Sequence, residues 1–360
     1  MKTGTTALQN FMRNNPKALE KQGFCYPFME VGPGPNPKNR NGNFLIYQST
    51  QKDPQKKAKE NEETRIAGYQ KLQKLANDYS NIVLSEELLW HHCEKYENFW
   101  EDIVDNLKKI NCQLKIVVYL RRQDELIQSL WNQGVKIGVR LSVSFQKYIR
   151  TKKYKYFPLD YYTHLKKIEQ VVGRENLLIR IYENGQYEGE EQSIISDFTH
   201  TLGITLTDEF KQDSERRNPS LNGNFIEMKR LINGLPEYRE MSDFIEKPIL
   251  SACAFQESHS PKKKQSFFTY EQQTAFLSEY EESNRKVATE FLNREDGVLF
   301  RKPIEHLPVY QVDSDTMYRD LITFLGVMFC RQQQAIKKLE KKPTLRSWVS
   351  EITDAIKEKV

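Results

Sequence analysis

The sequence has few cysteines and no long apolar run. Its five cysteines, an odd number, are scattered, and none forms a Cys-x-x-Cys pair. This argues against a disulfide framework and favours a reducing compartment, so we expect a cytoplasmic protein. No signal peptide opens the chain, and the apolar run near its end, Leu321 to Phe329, is far shorter than the ~20 residues of a membrane span. We therefore expect no transmembrane segment.

A strong excess of one charge sign is absent as well. The 54 basic and 49 acidic residues leave a formal net charge of +5. This is too small for a typical nucleic-acid-binding surface, and it suits a small anionic ligand or a polyanionic acceptor. We expect no nucleic-acid partner. The length of 360 residues, with 19 Phe, 18 Tyr and 4 Trp, fits one large α/β domain with additions.

Three short apolar runs in the first half are typical of buried strands. The run at 115–120 lacks polar alternation, as expected for a parallel strand covered on both faces. The other two lie at 81–85 and 177–182. Helices are predicted at about 5–22, 60–79, 95–109, 123–135, 160–171 and 190–202, with an irregular loop at 31–43. Because strands alternate with helices, we expect an α/β fold with a parallel β-sheet flanked by helices.

Beyond about residue 205 the strand signal fades. Helices are predicted at 222–233, 270–293 and 316–341, and a mobile basic loop at 256–266, around Lys262-Lys-Lys264. We expect a main domain over residues 1–310 and a helical C-terminal extension over 311–360. The extension is interpreted as an appendage, a capping helix pair or a coiled-coil segment.

The first residues form a pattern suited to an anion. Lys2-Thr3-Gly4-Thr5-Thr6 precedes an amphipathic helix. Gly4 lets the backbone approach a ligand closely, while Thr5 and Thr6 offer hydroxyls. The free N–H groups of the helix N-terminus, together with the Lys2 ammonium, favour negative charge. The alternative is a capped terminal helix without a ligand.

A second anion-binding element follows the strand that ends at Leu120. Arg121 lies at the carboxyl end of a parallel strand, where open α/β sheets bind ligands. Ser129 follows eight residues later, about two helical turns into the next helix. Arg121 can bind a phosphate through its guanidinium fork, and Ser129 can donate its hydroxyl. The alternative for Arg121 is a surface ion pair with Asp124 or Glu125.

These elements together resemble those of the sulfotransferases that use 3′-phosphoadenosine 5′-phosphosulfate (PAPS). Lys2-Thr-Gly-Thr-Thr6 looks like their 5′-phosphosulfate loop, and Tyr119-Leu-Arg121 followed by Ser129 looks like their 3′-phosphate element. The strand 179–183 resembles one whose Tyr, here Tyr182, borders the adenine. Residues 217–221, Arg-Asn-Pro-Ser-Leu, resemble a segment of bacterial members. The likeness covers roughly residues 1–235.

The resemblance implies a P-loop-NTPase-like sulfotransferase fold and a role for each residue. Lys2 would contact the oxygen that bridges sulfuryl and phosphate and neutralise charge on the leaving group. The backbone from Thr3 to Thr6 would hold the 5′-phosphosulfate. Arg121 and Ser129 would hold the 3′-phosphate, and Tyr182 would line the adenine pocket. PAPS is then the co-substrate, and the family's mechanism requires no metal.

The acceptor hydroxyl needs a general base. Members of the family place a catalytic His or Glu at the end of the strand that matches 81–85, so Glu86 is the predicted base, with Glu87 next. The alternative is a Glu that satisfies N–H groups at a helix N-terminus. His91 and His92 are further candidates for substrate contact or base. With Cys93 they suggest zinc, but adjacent helical residues point in different directions, so we expect no metal site.

One departure from the family concerns the strand that should lead into Lys2. It is absent from the sequence, so we expect that the true start lies upstream, the alternative being a degenerate gene product. A sheet without this strand leaves backbone groups unpaired, so we expect poor stability and weak activity for a chain that starts at Met1. Added upstream residues that gave no gain in thermal stability or PAPS binding would contradict this.

The acceptor and the rival functions are less specified. The stretch from Tyr148 to Tyr162 holds five Tyr and one Phe among lysines, and it predicts either a sugar-binding cleft or a half-buried connector. A carbohydrate or glycolipid is our first choice of acceptor, with lipids, phenols and sterols as alternatives.

A P-loop kinase would need Gly-x4-Gly-Lys-Ser/Thr and an acidic strand end, whereas here Lys2 precedes the glycine. The third alternative is an inactive PAPS-binding protein.

Overall fold

Helices form most of the regular structure. The computed structural model describes residues 2–33, 40–93, 96–137, 140–211, 221, 223–236, 238–259 and 264–340. Its α-helices are α1 (Thr5–Asn14), α2 (Pro16–Glu20), α3 (Pro54–Leu75), α4 (Leu89–His92), α5 (Phe99–Lys109), α6 (Gln123–Lys136), α7 (Phe145–Arg150), α8 (Tyr161–Val172), α9 (Ile194–Leu202), α10 (Gly223–Ile232), α11 (Tyr238–His259), α12 (Tyr270–Ser278), α13 (Glu281–Lys286) and α14 (Ser314–Glu340). Short 3₁₀ segments at Asn43–Ile46 and Arg174–Asn176 and a π-helical turn at Val287–Phe291 are also present.

The strands are parallel, as predicted, but they are divided between two sheets. β1 (Phe24–Cys25) pairs in parallel with β2 (Asn81–Ile82), and β3 (Ile116–Leu120) pairs in parallel with β4 (Leu177–Ile181). The described part of the chain therefore contains two separate two-stranded sheets, with helices between consecutive strands. This is an α/β arrangement in which helices predominate.

The strand predicted at 81–85 is shorter in the structure because its last residues bond to a loop. Ser85 donates its backbone N–H to the Asn41 side-chain oxygen at 2.7 Å, and the Gly42 N–H donates to the Ser85 carbonyl at 3.2 Å. The Asn41 amide also donates to the Val83 carbonyl at 3.0 Å. The Val83 N–H still donates to the Cys25 carbonyl of β1 at 2.8 Å, but from the Val83 carbonyl onward the chain bonds to the 41–42 segment.

Proline explains one difference between predicted and observed helices. The helix predicted at 5–22 is two helices, α1 and α2, which are separated at Asn15. Pro16 has no N–H to donate and its ring disfavours a helical residue before it, so α1 ends and α2 begins there. The Asn15 amide donates to the Phe11 carbonyl at 2.8 Å and so satisfies part of the α1 terminus.

Other differences lie in the second half. The 22-residue helix α11 was not predicted, and it runs through Pro248. It also includes residues 256–259 of the predicted basic loop, whereas 260–263 lie outside the described residues. Residues 34–39 of the loop predicted at 31–43 lie outside them too, as do 217–220 of the Arg-Asn-Pro-Ser-Leu segment. The helix predicted at 270–293 is divided into α12, α13 and the π-helical turn.

The chain folds into two compact units whose segments alternate along the sequence. The first comprises residues 1–129, 151–215 and 270–306, and the second comprises 130–150, 216–269 and 307–360. The division at residue 310 stays a prediction. In the first unit, Leu8, Phe11 and Met12 of α1 form a buried cluster, and Val83 and Val117 pack against it. Because these two valines belong to the segments of β2 and β3, α1 adjoins both strand pairs.

The second unit is built on α10, α11 and α14. Helix α11 packs along α14, and the buried Phe324 and Asp320 mark the inner face of α14. Asn224 of α10 donates to Asp320 Oδ2 at 2.9 Å and accepts from the Asp313 N–H at 2.9 Å. In the part of the chain that the structure describes, no helix combines the length and apolarity that crossing a bilayer requires.

Candidate functional site

The loop before α1 has a left-handed backbone at two residues. Lys2 and Gly4 both adopt positive φ, 60° and 74°, and Gly4 is the N-cap of α1. Glycine offers no side chain to cap the helix, and the first N–H groups that bond back to the Gly4 carbonyl are those of Ala7, at 2.9 Å, and Leu8, at 3.2 Å. A Cβ at Gly4 would lie 3.1 Å from Tyr182 Cε2 and 3.2 Å from Ile194 Cγ1. The position therefore requires glycine for both its φ and its close packing.

Arg121 lies against this loop. Its Nη1 donates a hydrogen bond to the Lys2 carbonyl oxygen at 3.0 Å, and its guanidinium carbon lies 5.4 Å from the centre of the Tyr182 ring. The Tyr182 N–H donates to the Leu120 carbonyl at 2.7 Å, which extends the β3–β4 pairing to the end of both strands. The structure thus brings together three predicted elements that are far apart in the sequence: the Lys2–Thr6 loop, Arg121 and Tyr182.

Lys302 is a cation of this site that the sequence did not reveal. Arg121 Nε lies 3.2 Å from Glu125 Oε2, and Lys302 Nζ lies 3.3 Å from Glu125 Oε1. One carboxylate therefore lies between two cations. The basic pair Arg301-Lys302 was the available signal, but nothing in the sequence placed it beside Arg121.

Buried hydrogen bonds fix the backbone at Lys302. Arg122 Nη1 donates to the Lys302 carbonyl at 2.6 Å, and its other nitrogens bind both oxygens of Asp124, at 2.7 and 3.1 Å. Asp124 is fully buried and also accepts from the Gln273 amide. Of the two ion pairs weighed for Arg121, the one with Glu125 is present, whereas Asp124 pairs with Arg122.

Ser129, Thr3 and Thr6 do not take part in the contacts that join Lys2, Arg121 and Tyr182. Ser129 is half-buried in the middle of α6. Thr3 is buried, and Thr6 is half-buried in the first turn of α1.

Glu86 is held by an arginine from the loop. Its side chain is fully buried, and Arg40 Nε lies 3.0 Å from each carboxylate oxygen, with a further bond from Nη2. The Leu88 N–H also donates to Glu86, at 2.9 Å. Burial raises the pKa of the Glu86 carboxyl, and the Arg40 hydrogen bonds oppose that shift. Glu86 therefore joins the segment after β2 to Arg40.

Glu87, unlike Glu86, is bonded to the loop before α1. The Thr5 hydroxyl donates to Glu87 Oε1 at 2.5 Å, and Gln9 Nε2 of α1 donates to Ser85 Oγ at 3.0 Å. Glu87 is half-buried, whereas the Glu86 side chain has no exposed surface. Of the two adjacent carboxylates, Glu87 is the one bonded to the Lys2–Thr6 loop.

The two histidines and the cysteine after Glu87 point to different neighbours. His91 packs near Tyr156 and Phe157, His92 stacks on Tyr96 with ring centres 4.3 Å apart, and Cys93 Sγ lies 3.7 Å from His164 Nε2. Within the described ranges, no group of three or more His, Cys, Asp or Glu side chains is arranged to hold a metal ion.

The aromatic stretch from Tyr148 to Tyr162 is mainly buried. Tyr154, Phe157 and Tyr161 are buried, and the Tyr161 hydroxyl donates to the Arg121 carbonyl at 2.5 Å. Tyr156, in contrast, is 53% exposed and lies across from His91, with ring centres 6.2 Å apart. The buried rings of Tyr154, Phe157 and Tyr161 agree with the half-buried connector rather than with a sugar-binding cleft. Of the four aromatic residues named here, only Tyr156 has an exposed ring that a ligand could contact.

Comparison with known proteins gives a distant relative of no stated function. A protein of Archaeoglobus fulgidus, named "Uncharacterized protein", is 30% identical over 226 residues, which are 59% of this chain and 59% of that protein. The chain thus matches less than two thirds of its relative's length. No family model and no solved structure matches the chain.

Proposed function

We propose that the chain is a sulfotransferase that moves the sulfuryl group of PAPS to a hydroxyl or amine of an acceptor. The observation that carries the proposal is the hydrogen bond from Arg121 to the Lys2 carbonyl, at 3.0 Å. It joins a loop suited to a phosphosulfate to a cation suited to a second phosphate. A doubly phosphorylated adenosine needs these two anion sites side by side, with an aromatic wall nearby, and Tyr182 supplies that wall.

In this proposal the donor lies along the Lys2–Thr6 loop. The N–H groups of the first turn of α1 bind the 5′-phosphosulfate, and the Lys2 ammonium neutralises the oxygen that leaves sulfur. Arg121 binds the 3′-phosphate, with Ser129 as a hydroxyl donor. Lys302 is a second cation of the 3′-phosphate pocket, since it already shares the Glu125 carboxylate with Arg121.

The finer fold is proposed to be the P-loop-like sheet of the sulfotransferases. Two features support it: both sheets are parallel, and the segments of β2 and β3 both border the cluster around α1.

Glu87 is proposed as the general base, in place of Glu86. It bonds to Thr5 on the donor loop, whereas Glu86 already binds Arg40 through both carboxylate oxygens. In the transfer step, Glu87 removes the proton of the acceptor hydroxyl while the oxygen of that hydroxyl forms a bond to sulfur. The bond from sulfur to the bridging oxygen breaks, and adenosine 3′,5′-bisphosphate leaves with that oxygen.

The acceptor is proposed to be a carbohydrate or glycolipid hydroxyl, with lipids and small hydroxylated molecules as alternatives. His91 and the exposed ring of Tyr156 adjoin each other, and His91 lies one helical turn after Glu87. Aromatic faces of this kind pack on the apolar faces of sugar rings. The choice of acceptor rests on this aromatic pair.

A thermal-shift and transfer experiment tests the proposal. PAPS and adenosine 3′,5′-bisphosphate should raise the melting temperature, because a ligand that binds only the folded state stabilises it. Mass spectrometry of oligosaccharides, glycolipids, sterols and phenols incubated with PAPS should then reveal a mass gain of one sulfuryl group. Stabilisation by ATP with Mg²⁺ but not by PAPS would favour a kinase. PAPS binding without transfer to any acceptor would favour an inactive binding protein.

A further inference from the structure

A cysteine and a buried histidine form a pair outside the residues assigned to sulfuryl transfer. Cys93 Sγ lies 3.7 Å from His164 Nε2, within the range of a hydrogen bond to sulfur. His164, on α8, is 2% exposed, and the Trp90 ring packs edge-to-face against its imidazole with ring centres 4.2 Å apart. An imidazole beside a thiol can accept the thiol proton and leave a thiolate, which is the nucleophilic form of cysteine.

The thiol has a second acceptor within its own helical turn. Cys93 Sγ also lies 3.7 Å from the Trp90 carbonyl oxygen. A thiol that donates to a backbone carbonyl keeps its proton, whereas a thiol that donates to an imidazole can lose it. The two acceptors therefore predict different reactivity for Cys93, and that reactivity can be measured.

The pair opens onto a cleft that is large enough for a small organic ligand. Cys93 and His164 both line this cleft, which belongs to the first unit and has a volume of about 370 Å³. Cavities of this size hold small molecules. The walls carry charges of both signs, from Lys167 on α8 and from Glu97 and Glu101. A ligand that has both carboxylate and ammonium groups matches this lining.

Trp100 adds an unsatisfied donor to the same cleft. It lines the cleft and is 8% exposed, and its Nε1 has no hydrogen-bond partner in the part of the chain that the structure describes. A buried N–H without an acceptor costs free energy, which an oxygen of a bound ligand at this wall offsets. The amide and carboxylate oxygens of an amino acid or short peptide are acceptors of this kind.

We propose that Cys93 is a redox-modification site, at which the cleft binds a small amino-acid or peptide disulfide and Cys93 forms a mixed disulfide with it. Cys93 transfers its proton to His164 Nε2, and the thiolate attacks one sulfur of the bound disulfide. A new S–S bond forms to Cys93 while the S–S bond of the ligand breaks. The leaving thiolate takes up the proton that His164 holds, so Cys93 is oxidised and one half of the ligand is reduced to a thiol.

Mass spectrometry of the fully reduced, full-length chain incubated with glutathione disulfide near neutral pH tests the site. Cys330 is the internal control, because it is exposed whereas Cys93 is half-buried. Access alone would make Cys330 the faster thiol. We expect Cys93 instead to gain a glutathionyl group at least about tenfold faster, since a thiolate is the attacking species. Modification of Cys93 at a rate equal to or below that of Cys330 would overturn the proposal.

His164→Gln tests the role of the imidazole. This variant should slow the modification of Cys93 to no more than the rate of Cys330, whose own rate should stay the same. His200→Gln is the matched control, because His200 is an exposed histidine that pairs with Glu188, and it should leave the rate at Cys93 unchanged. Native reactivity of Cys93 in a folded His164→Gln chain would assign the thiol to the Trp90 carbonyl and overturn the proposal.

Lys167→Ala tests recognition of the ligand while the Cys93–His164 pair stays in place. Lys167 is exposed, so this variant should fold even where His164→Gln does not. Native Cys93 should prefer glutathione disulfide over the uncharged bis(2-hydroxyethyl) disulfide more strongly than Cys330 does, and Lys167→Ala should remove that preference. Lys166→Ala, at the neighbouring position outside the cleft lining, should keep it. A preference that is absent from the native chain, or that survives Lys167→Ala, would overturn the assignment of the cleft as the binding site.

The residues of this cleft have no role in the proposed sulfuryl transfer, so the two proposals fail independently. A chain that transfers no sulfuryl group can still show selective modification of Cys93. A chain with normal transfer and an unreactive Cys93 would overturn only the redox site.

Discussion

The hydroxyl of Thr5 donates a hydrogen bond to Glu87 Oε1 at 2.5 Å, across 82 residues of sequence. It places a carboxylate directly on the loop that is proposed to bind the phosphosulfate. The neighbouring carboxylate, Glu86, is turned away and binds Arg40. Two adjacent glutamates therefore have different partners, and the roles proposed for them, one as the general base and one in the scaffold, can be separated by experiment.

Glu87→Gln should lower kcat for sulfuryl transfer by roughly 10²–10⁴, because that is the usual contribution of a general base. The affinity for adenosine 3′,5′-bisphosphate should change little, since an amide can still accept the Thr5 hydrogen bond. Stopped or continuous transfer assays measure kcat, and calorimetry measures the affinity for adenosine 3′,5′-bisphosphate. Full turnover by the Glu87→Gln enzyme would place the base elsewhere.

Glu86→Gln should act on stability instead of chemistry. Removing one partner of a buried ion pair leaves the other charge uncompensated, which costs about 3–5 kcal/mol when both partners are buried. Arg40 is one-third exposed, so the expected loss in the free energy of unfolding is nearer to about 2 kcal/mol. Urea unfolding checks the loss. A Glu86→Gln chain of normal stability but without activity would reverse the two assignments.

Arg121→Ala should weaken binding of adenosine 3′,5′-bisphosphate by about ten- to a hundredfold, since hydrogen bonds to charged groups contribute about 1.5–3 kcal/mol. Binding of adenosine 5′-phosphosulfate, which lacks the 3′-phosphate, should be nearly unaffected. Calorimetry with the two nucleotides measures the difference. Arg301→Ala is a suitable control, because Arg301 pairs with Asp296 and is mostly exposed. Equal losses for both nucleotides would assign Arg121 to the loop structure and not to the 3′-phosphate.

Glu125→Gln should have the opposite effect on the same ligand. Its carboxylate lies between Arg121 and Lys302, at 3.2 and 3.3 Å, and must yield those cations to an incoming phosphate. Removing the negative charge should therefore tighten adenosine 3′,5′-bisphosphate binding several-fold, with the gain reduced at high salt. Titrations at low and high ionic strength check this. Weaker binding by the variant would indicate that Glu125 orients the cations for the ligand.

The sequence allowed prediction of the parts that depend on local pattern. The strand at 116–120, with Arg121 at its end and the glycine turn before α1, follows from apolar runs and backbone preferences that act over a few residues. The choice between Glu86 and Glu87 could not be predicted, because it depends on where Arg40 and Thr5 lie in three dimensions. Lys302 was missed for the same reason, since its place depends on a buried bond from Arg122, 180 residues away. Helix α11 was missed because Pro248 in its interior is a strong local signal against a helix, which tertiary packing overrides.

Lys229 gives a prediction for stability against pH in the second unit. Its side chain is fully buried, and its ammonium donates to the Val135 carbonyl at 3.2 Å and to Asn233 Oδ1 at 2.6 Å. Burial lowers the pKa of Lys229 to about 8. Between that value and the ordinary lysine pKa of about 10.4, the unfolded chain binds a proton that the folded chain does not, so this group makes stability rise with pH.

We expect the free energy of unfolding of the native chain, relative to Lys229→Met, to increase by about 2 kcal/mol from pH 7.5 to pH 10. Urea unfolding of both chains at several pH values measures this difference, in which the other titrating groups cancel. A difference that stays constant with pH would mean that Lys229 keeps an ordinary pKa through contacts that compensate its burial.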